Sequence, residues 1–213
     1  MTYSSRDNLN ISECTSLNDL AGLDPDIHLP LQSNFNYYSA NDFRNNYEIS
    51  NCISTKHLSV LHSNIRSLNA NFDSLIQMIS ELNHNFSIIG LTETKIKLSS
   101  ENRFNHTIPG YNFFSKPTLT NAGGVGFFVS KKISSSVRND LSCSLNDFES
   151  LWIEIESDLH HNVVCGVVYR HPNTTLESFM THLNSAIEKI NNENKFCIIM
   201  GDFNVDLLNC SHT

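Results

Sequence analysis

The chain has 213 residues, 39% of them hydrophobic and 17% charged, with a formal net charge of −8. That length suits one domain with a sizeable core and a tail, and the acidic balance excludes binding nucleic acid through bulk positive charge, so any phosphate chemistry must rest on metal ions and local donors. The six cysteines form no Cys-x-x-Cys pair, which argues against zinc, and with neither a signal peptide nor a membrane-length apolar run in sight the expectation is a soluble intracellular protein.

Residues 1–56 lack hydrophobic period. Asn, Ser and Asp are scattered through them, and Pro25 and Pro30 interrupt any helix. They read as a disordered polar leader, with a short helix conceivable over Thr15–Ala21. Order begins near His57. Leu58–Ile65 reads as a strand and Arg66-Ser67-Leu68-Asn69 as a polar turn. Phe72, Leu75, Ile76, Ile79 and Leu82 then recur at helical spacing. Phe86–Glu93 is the next strand. Strand, helix and strand with short links make a βαβ unit, so the two strands are parallel and the crossover right-handed. They deliver Asn64 and Glu93 to one edge of a sheet. Taken singly, Glu93 also suits an exposed acid and Asn64 an ordinary strand-to-turn junction.

Residues 94–122 read as a long irregular segment, with Pro109-Gly110-Tyr111 as a turn and a short strand at Asn112–Ser115. Asn121-Ala122-Gly123-Gly124 signals a hairpin leading to a strand at Val125–Ser130, where Gly126 permits close packing. Gly123-Gly124-x-Gly126 lacks the Lys and helix of a phosphate loop. A second hairpin joins Phe148–Glu156 to Asn162–Tyr169 through Asp158–His161, so the sheets are mixed. Trp152 belongs to the core, and Glu149 reads as a structural or surface acid, with contact with the site as the lesser alternative. Cys165 and Cys197 lie in apolar runs and read as buried thiols.

Tyr169-Arg170-His171-Pro172-Asn173 closes the second hairpin with a phenol, a guanidinium and an amide, groups that suit phosphate. A solvated strand end is the plainer alternative. A long helix over residues 174–193, with His182 on its surface, leads to Phe196–Met200, a buried and centrally placed strand. Gly201 lets the backbone approach something closely, and Asp202 and Asn204 follow on one side of the chain. That pair suits a hard cation or a phosphate, although Gly, Asp and Asn also suit a turn. Four apolar strands thus end in polar groups. Ligands of α/β sheets gather outside such strand ends, and an oxygen-rich set favours magnesium or manganese over zinc.

In this order His62-Ser63-Asn64-Ile65-Arg66-Ser67-Leu68, Leu91-Thr92-Glu93-Thr94, Gly123-Gly124-Val125-Gly126, Tyr169-Arg170-His171-Pro172-Asn173 and Gly201-Asp202-Phe203-Asn204 resemble the endonuclease/exonuclease/phosphatase family. More closely, they resemble the apurinic-type endonuclease domain of LINE-like (non-LTR) retrotransposons. The resemblance covers about residues 57–208. It implies an α/β (α+β) four-layer sandwich of two mixed β-sheets flanked by helices, acting on DNA. Glu93 then resembles the main metal-binding residue for Mg²⁺ (or Mn²⁺), with Asn64 its partner. Asp202 resembles the aspartate that orients or deprotonates the attacking water. Asn204, Tyr169 and Asn173 resemble groups that contact the scissile phosphate, and Arg66 and Arg170, in the same motifs, complete the expected phosphate and DNA contacts.

The family normally continues into strands that carry a Ser-Asp-His run, whereas Ser211-His212-Thr213 stands in another context. Residues 57–213 are therefore expected to be that domain with its last strands missing, from a polyprotein in which a reverse transcriptase would follow, acting in the nucleus. No membrane and no small-molecule cofactor is expected. The alternatives are a non-catalytic remnant and a phosphatase or phosphodiesterase of the same fold. Glu93 and Asn64 are expected together at one sheet edge, with Asp202 and Asn204 across a shallow cleft.

Overall fold

In the computed structural model the described residues are 38–49, 58–99, 107–156, 162–172 and 174–205. The leader apart from residues 38–49, the helix expected near Thr15–Ala21, the turn at 158–161, Asn173 and the residues after 205 lie outside them. Tyr38–Asn204 form one compact unit, and the second unit, Met1–Tyr37 with Val205–Thr213, lies outside the described residues except for Val205.

Among the described residues the first helix is α1 (Ala40–Ile49), inside the stretch expected to be a leader. It is held by packing rather than by strong periodicity. Ser39 and Asp42 cap its start, with the Ser39 hydroxyl donating to Asp42 at 2.5 Å. Phe43 stacks on Phe86 at a centroid distance of 6.3 Å.

Strands β1 (Val60–Asn64), β2 (Ile88–Thr92), β3 (Tyr111–Lys116) and β4 (Val125–Ser130) form the first sheet in the order β1-β2-β4-β3. The β1–β2 pair is parallel, with Asn64 opposite Thr92, and the other pairs are antiparallel. Helix α2 (Leu68–Leu82) is the crossover, as the βαβ reading requires. It begins at Leu68 rather than at the first periodic residue, because Ser67 caps it by accepting from the Ala70 amide and Leu68 itself is fully buried.

The second sheet runs β5 (Ser135–Val137), β7 (Phe148–Ile155), β8 (Val163–Arg170), β9 (Phe196–Asp202), with β6 (Cys143–Ser144) also paired to β7. The pairs from β5 to β8 are antiparallel. β8 and β9 are parallel across helix α3 (Leu176–Asn192).

The two sheets pack face to face. Ile88, Val125, Phe127 and Val129 of the first meet Leu151, Ile153, Ile155, Cys165, Val167, Tyr169 and Met200 of the second. The outer face of the first sheet is covered by α2 and α1 through Leu75, Phe72 and Phe43. The outer face of the second is covered by α3 through Phe179, Leu183, Ala186 and Ile190. The result is the expected four-layer arrangement of two mixed sheets flanked by helices. No helix among the described residues is long and apolar enough to cross a membrane.

Two expectations about β9 need correction. It pairs only with β8 among the described residues, so it lies at an edge of the sheet rather than in its centre. Its first half is uncovered as well: Phe196 is 65% exposed, and Cys197 is exposed rather than buried.

Candidate functional site

The parallel pairs β1–β2 and β8–β9 lie in different sheets, and their carboxyl ends meet at one end of the sandwich. Strand alternation puts Val60, His62 and Asn64 on the inner face of the first sheet. It puts Tyr169 and Asp202 on the inner face of the second, directly opposite one another in register. Glu149 of β7 is opposite Tyr169 on its other side, so Glu149, Tyr169 and Asp202 form one row across three strands.

Asn64 joins the two sheets. Its Nδ2 donates to Glu93 Oε1 at 3.0 Å and to Asp202 Oδ2 at 2.7 Å, and its Oδ1 accepts from the Arg66 amide at 3.2 Å. Glu93 and Asn64 therefore stand together at the sheet edge. Asp202 is hydrogen-bonded to Asn64 rather than across a cleft from it. Asn204 does not share its side. The strand stops at Asp202 and Asn204 is left-handed, with φ 47°, so strand alternation no longer governs it. Its backbone N–H donates to Asp202 Oδ1 at 3.3 Å and its Nδ2 to the Arg170 carbonyl at 2.7 Å.

Arg66, Glu93 and Lys95 share the left-handed backbone of Asn204, with φ between 51° and 55°. Each such residue costs on the order of 1–3 kcal/mol. Fully buried apolar side chains such as Phe127 and Leu68 each contribute about 1.5–3 kcal/mol, so the packed sandwich holds this strain at the one end where the polar groups collect.

Arg170 was expected to face phosphate. It is only 8% exposed, and its guanidinium is turned inward. Nη1 donates to the carbonyls of Phe203 and Asn204, and Nη2 to that of Thr174. It therefore shapes the Asp202–Asn204 turn from beneath, where five donors on a fixed fork match three converging carbonyls. Arg66, by contrast, is exposed. Asn173 lies outside the described residues.

Tyr169 is 2% exposed. Burial first, then the charges of Glu93, Asp202 and Glu149, push its hydroxyl up to about 12, so at neutral pH it is a neutral hydrogen-bond donor set among three carboxylates. His62 Nε2 lies 3.4 Å from Thr92 Oγ1. Burial holds its imidazole below the usual range, and the charge of Asp202 opposes that shift.

Glu149 is not a surface acid. It is fully buried and accepts from Thr118 Oγ1 at 2.5 Å and from the Gly124 amide. His171 Nε2 lies 3.4 Å from its Oε1, without hydrogen-bond geometry, and the His171 ring meets the Tyr169 ring edge-on at 4.8 Å. One sequence signal pointed to this: Glu149 has the same parity on β7 as Leu151, Ile153 and Ile155, all of the inner core.

No group of three or more His, Cys, Asp or Glu side chains among the described residues is arranged to hold a metal ion. What the site offers is two carboxylates meeting at one amide. That donor set fits a cation such as magnesium, which keeps several waters and takes one or two carboxylates, better than one held in a closed protein cage.

The solved structures most like this one include the AP endonuclease LMAP from Leishmania major, with a TM-score of 0.60 and 14% identity over 74% of this chain and 58% of that one. The catalytic domain of human Nocturnin gives 0.50 and 16% over 72% and 66%. The catalytic domain of Xenopus laevis APE2 gives 0.50 and 16% over 69% and 58%. At these identities the likeness is one of fold, and the chain spans 58% to 66% of the length of the three structures. No curated protein matches the chain. The profile of the endonuclease/exonuclease/phosphatase family matches residues 61–209, from β1 through the Gly-Asp-Phe-Asn turn and every element that builds the site, and the chain belongs to that family.

Proposed function

We propose that the chain is a divalent-metal-dependent DNA endonuclease domain, hydrolysing a phosphodiester, of the kind carried by non-LTR retrotransposons. One observation carries this reading: the Asn64 amide is shared between Glu93 of one sheet and Asp202 of the other, beside the buried hydroxyl of Tyr169. The retrotransposon assignment, with a reverse transcriptase on the same polyprotein and action in the nucleus, rests on the motif resemblance.

In this reading Glu93, with Asn64 beside it, would hold Mg²⁺ or Mn²⁺. Bound there, the ion would supply charge neutralisation at the phosphate and at the leaving oxygen. The remaining roles belong to the chain. Asp202 accepts a hydrogen bond from a water molecule, aims it at phosphorus, and takes its proton as the new P–O bond forms and the ester P–O bond breaks. Asn64 keeps the two carboxylates apart and oriented. Tyr169, neutral up to high pH, donates to a phosphate oxygen. Asn204 has a second amide hydrogen beyond the one given to Arg170, and it reaches the phosphate from the turn. Arg66 and Asn173 make outer phosphate contacts, while Arg170 supports the turn.

Purified protein incubated with supercoiled plasmid and Mg²⁺ tests the reading. Nicking should occur and should fall about a thousandfold, the rate equivalent of roughly 4 kcal/mol, in Glu93→Ala or Asp202→Ala. Equal nicking by the wild type and the Glu93→Ala, Asp202→Ala double variant would remove the catalytic assignment. Turnover of small phosphoesters with none on DNA would replace it with a phosphatase. Retained Mg²⁺ binding with no turnover would mark a domain that binds without cutting.

A further inference from the structure

We propose that Glu149 is a positioning residue for this site, holding the backbone from which Glu93 projects. The inference rests on the reading of Glu93 as the metal-binding carboxylate.

The connection runs through two glycines. Glu149 Oε1 accepts from Thr118 Oγ1 at 2.5 Å, and Oε2 accepts from the Gly124 amide. From the other side, the Thr94 amide donates to the Gly124 carbonyl at 3.0 Å and the Lys95 amide to the Gly123 carbonyl at 2.8 Å. These are the two residues directly after Glu93. The glycine pair is thus a spacer between a buried carboxylate and the Glu93 segment, and only glycine fits. A Cβ on Gly123 would lie 2.6 Å from Glu149 Oε2 and 2.8 Å from His171 Cε1, and one on Gly124 would lie 2.4 Å from Thr94 Oγ1. Both glycines have positive φ, 100° and 83°.

What the spacer holds is unusual backbone. Glu93 and Lys95 are both left-handed, with φ 52° and 55°, a conformation that side-chain-bearing residues keep only when their surroundings impose it. Glu149 is also costly where it is. A carboxylate with no exposed surface stays there when donors converge on it. It needs length and two acceptor positions to reach Thr118 and Gly124 together.

Length and charge separate cleanly in two variants. Glu149→Gln keeps the shape. Its oxygen can accept from Gly124, and its NH₂ can donate to Thr118 Oγ1, whose hydroxyl turns to the Ala122 carbonyl already 2.9 Å away. Glu149→Asp keeps the charge but is one methylene short. Exchange of the Thr94 and Lys95 amides and Mn²⁺ binding by titration calorimetry are measured on the full chain, with Glu93→Gln as the control.

In Glu149→Asp both amides should exchange at least about tenfold faster and the Mn²⁺ dissociation constant should rise about ten- to hundredfold, while Glu149→Gln stays within about twofold of wild type on both. Wild-type exchange and affinity in folded Glu149→Asp overturn the proposal. So does a loss in Glu149→Gln equal to that in Glu149→Asp, which would mean that a side chain of the right length with partners for Thr118 and Gly124 does not hold the segment. Should Glu149→Asp not fold, Gly124→Ala displaces Thr94 directly and leaves Glu149 intact. It should weaken Mn²⁺ binding by a similar factor, and unchanged affinity overturns the proposal. If wild type binds Mn²⁺ no better than Glu93→Gln, the metal reading has failed on its own, and the amide exchange still decides whether Glu149 holds the segment.

Discussion

Asn64 and Gly201 show how much single residues settle here. Asn64 presents one amide nitrogen to carboxylates from both sheets, which a strand-end Asn predicts only once the second sheet is known. Gly201 was legible as a site of close approach. The group approached is the β8 backbone: a Cβ at Gly201 would lie 2.0 Å from the Val168 carbonyl oxygen and 2.9 Å from its carbon, one row before the Tyr169–Asp202 pair. Backbone within a parallel pair cannot move aside as a side-chain tip can. Gly201→Ala should therefore cost about 3 kcal/mol in urea unfolding and, by displacing Asp202, slow the proposed nicking about a hundredfold. A cost under about 0.5 kcal/mol, the range of surface substitutions, would mean the approach is not that close. The burial of Arg170 and the exposure of Cys197 escape the sequence for a common reason. Sequence shows that a residue ends or begins a strand, but not whether neighbouring loops cover it. Three carbonyls from two loops bury Arg170, while the edge position of β9 leaves Cys197 open.

At the scale of elements, the strands and helices with strong periodicity were legible and the weak ones were not. α2, α3, β2, β4, β7 and β8 stand close to their expected places because each buries an apolar face large enough to dominate the pattern. β5 and β6 have three and two residues and exist only because β7 offers an edge to pair with. α1 depends on packing against the Phe86 end of the first sheet. The far end of the second sheet is tied by a charge network no local pattern announced. Arg138, 12% exposed at its side chain, pairs with Asp140, Glu154 and Glu193, and Lys195 joins Glu154 to Glu193. The network ties the β5–β6 connection and β7 to the end of α3 and the start of β9. Arg138, then Lys195, holds the Glu193 carboxyl down to about 2, and Arg138 likewise lowers Asp140. Because the folded values are depressed, this stabilisation is complete above the unfolded carboxylate range of about 4 and is lost as pH falls toward 2. Arg138→Ala should cost about 2 kcal/mol at pH 7, between exposed and buried pairs. The gap to wild type should shrink by at least about half near pH 2.5 in denaturant titrations. A gap independent of pH would assign the loss to packing of the Arg stem.

At the scale of the whole molecule, each sheet brings one parallel pair, β1–β2 across α2 and β8–β9 across α3. The site forms where the carboxyl ends of those pairs meet, as strand ends in α/β sheets do. That meeting was legible as a list of polar strand ends. Its geometry was not, since no local pattern tells that the inner faces of the two sheets bring Asn64 and Asp202 to 2.7 Å. Because Asn64 holds Glu93 of the first sheet's end against Asp202 of the second's, a cation held at Glu93 as proposed would bind the docked sandwich and not the separated sheets, and so should stabilise the fold itself. At a free Mg²⁺ concentration ten times the dissociation constant the gain is about 1.4 kcal/mol, raising Tm by about 3–5 °C for a domain of this size. Thermal unfolding with millimolar Mg²⁺, compared with K⁺ at matched ionic strength, should show that rise in wild type, and Mn²⁺ should match it. Glu93→Gln should show none, because the neutral amide leaves Asp202 as the sole carboxylate on Asn64. Equal curves for wild type and Glu93→Gln in Mg²⁺ would mean the two sheet ends stand together without a metal site between them, and the metal-dependent reading would fall while the fold stood.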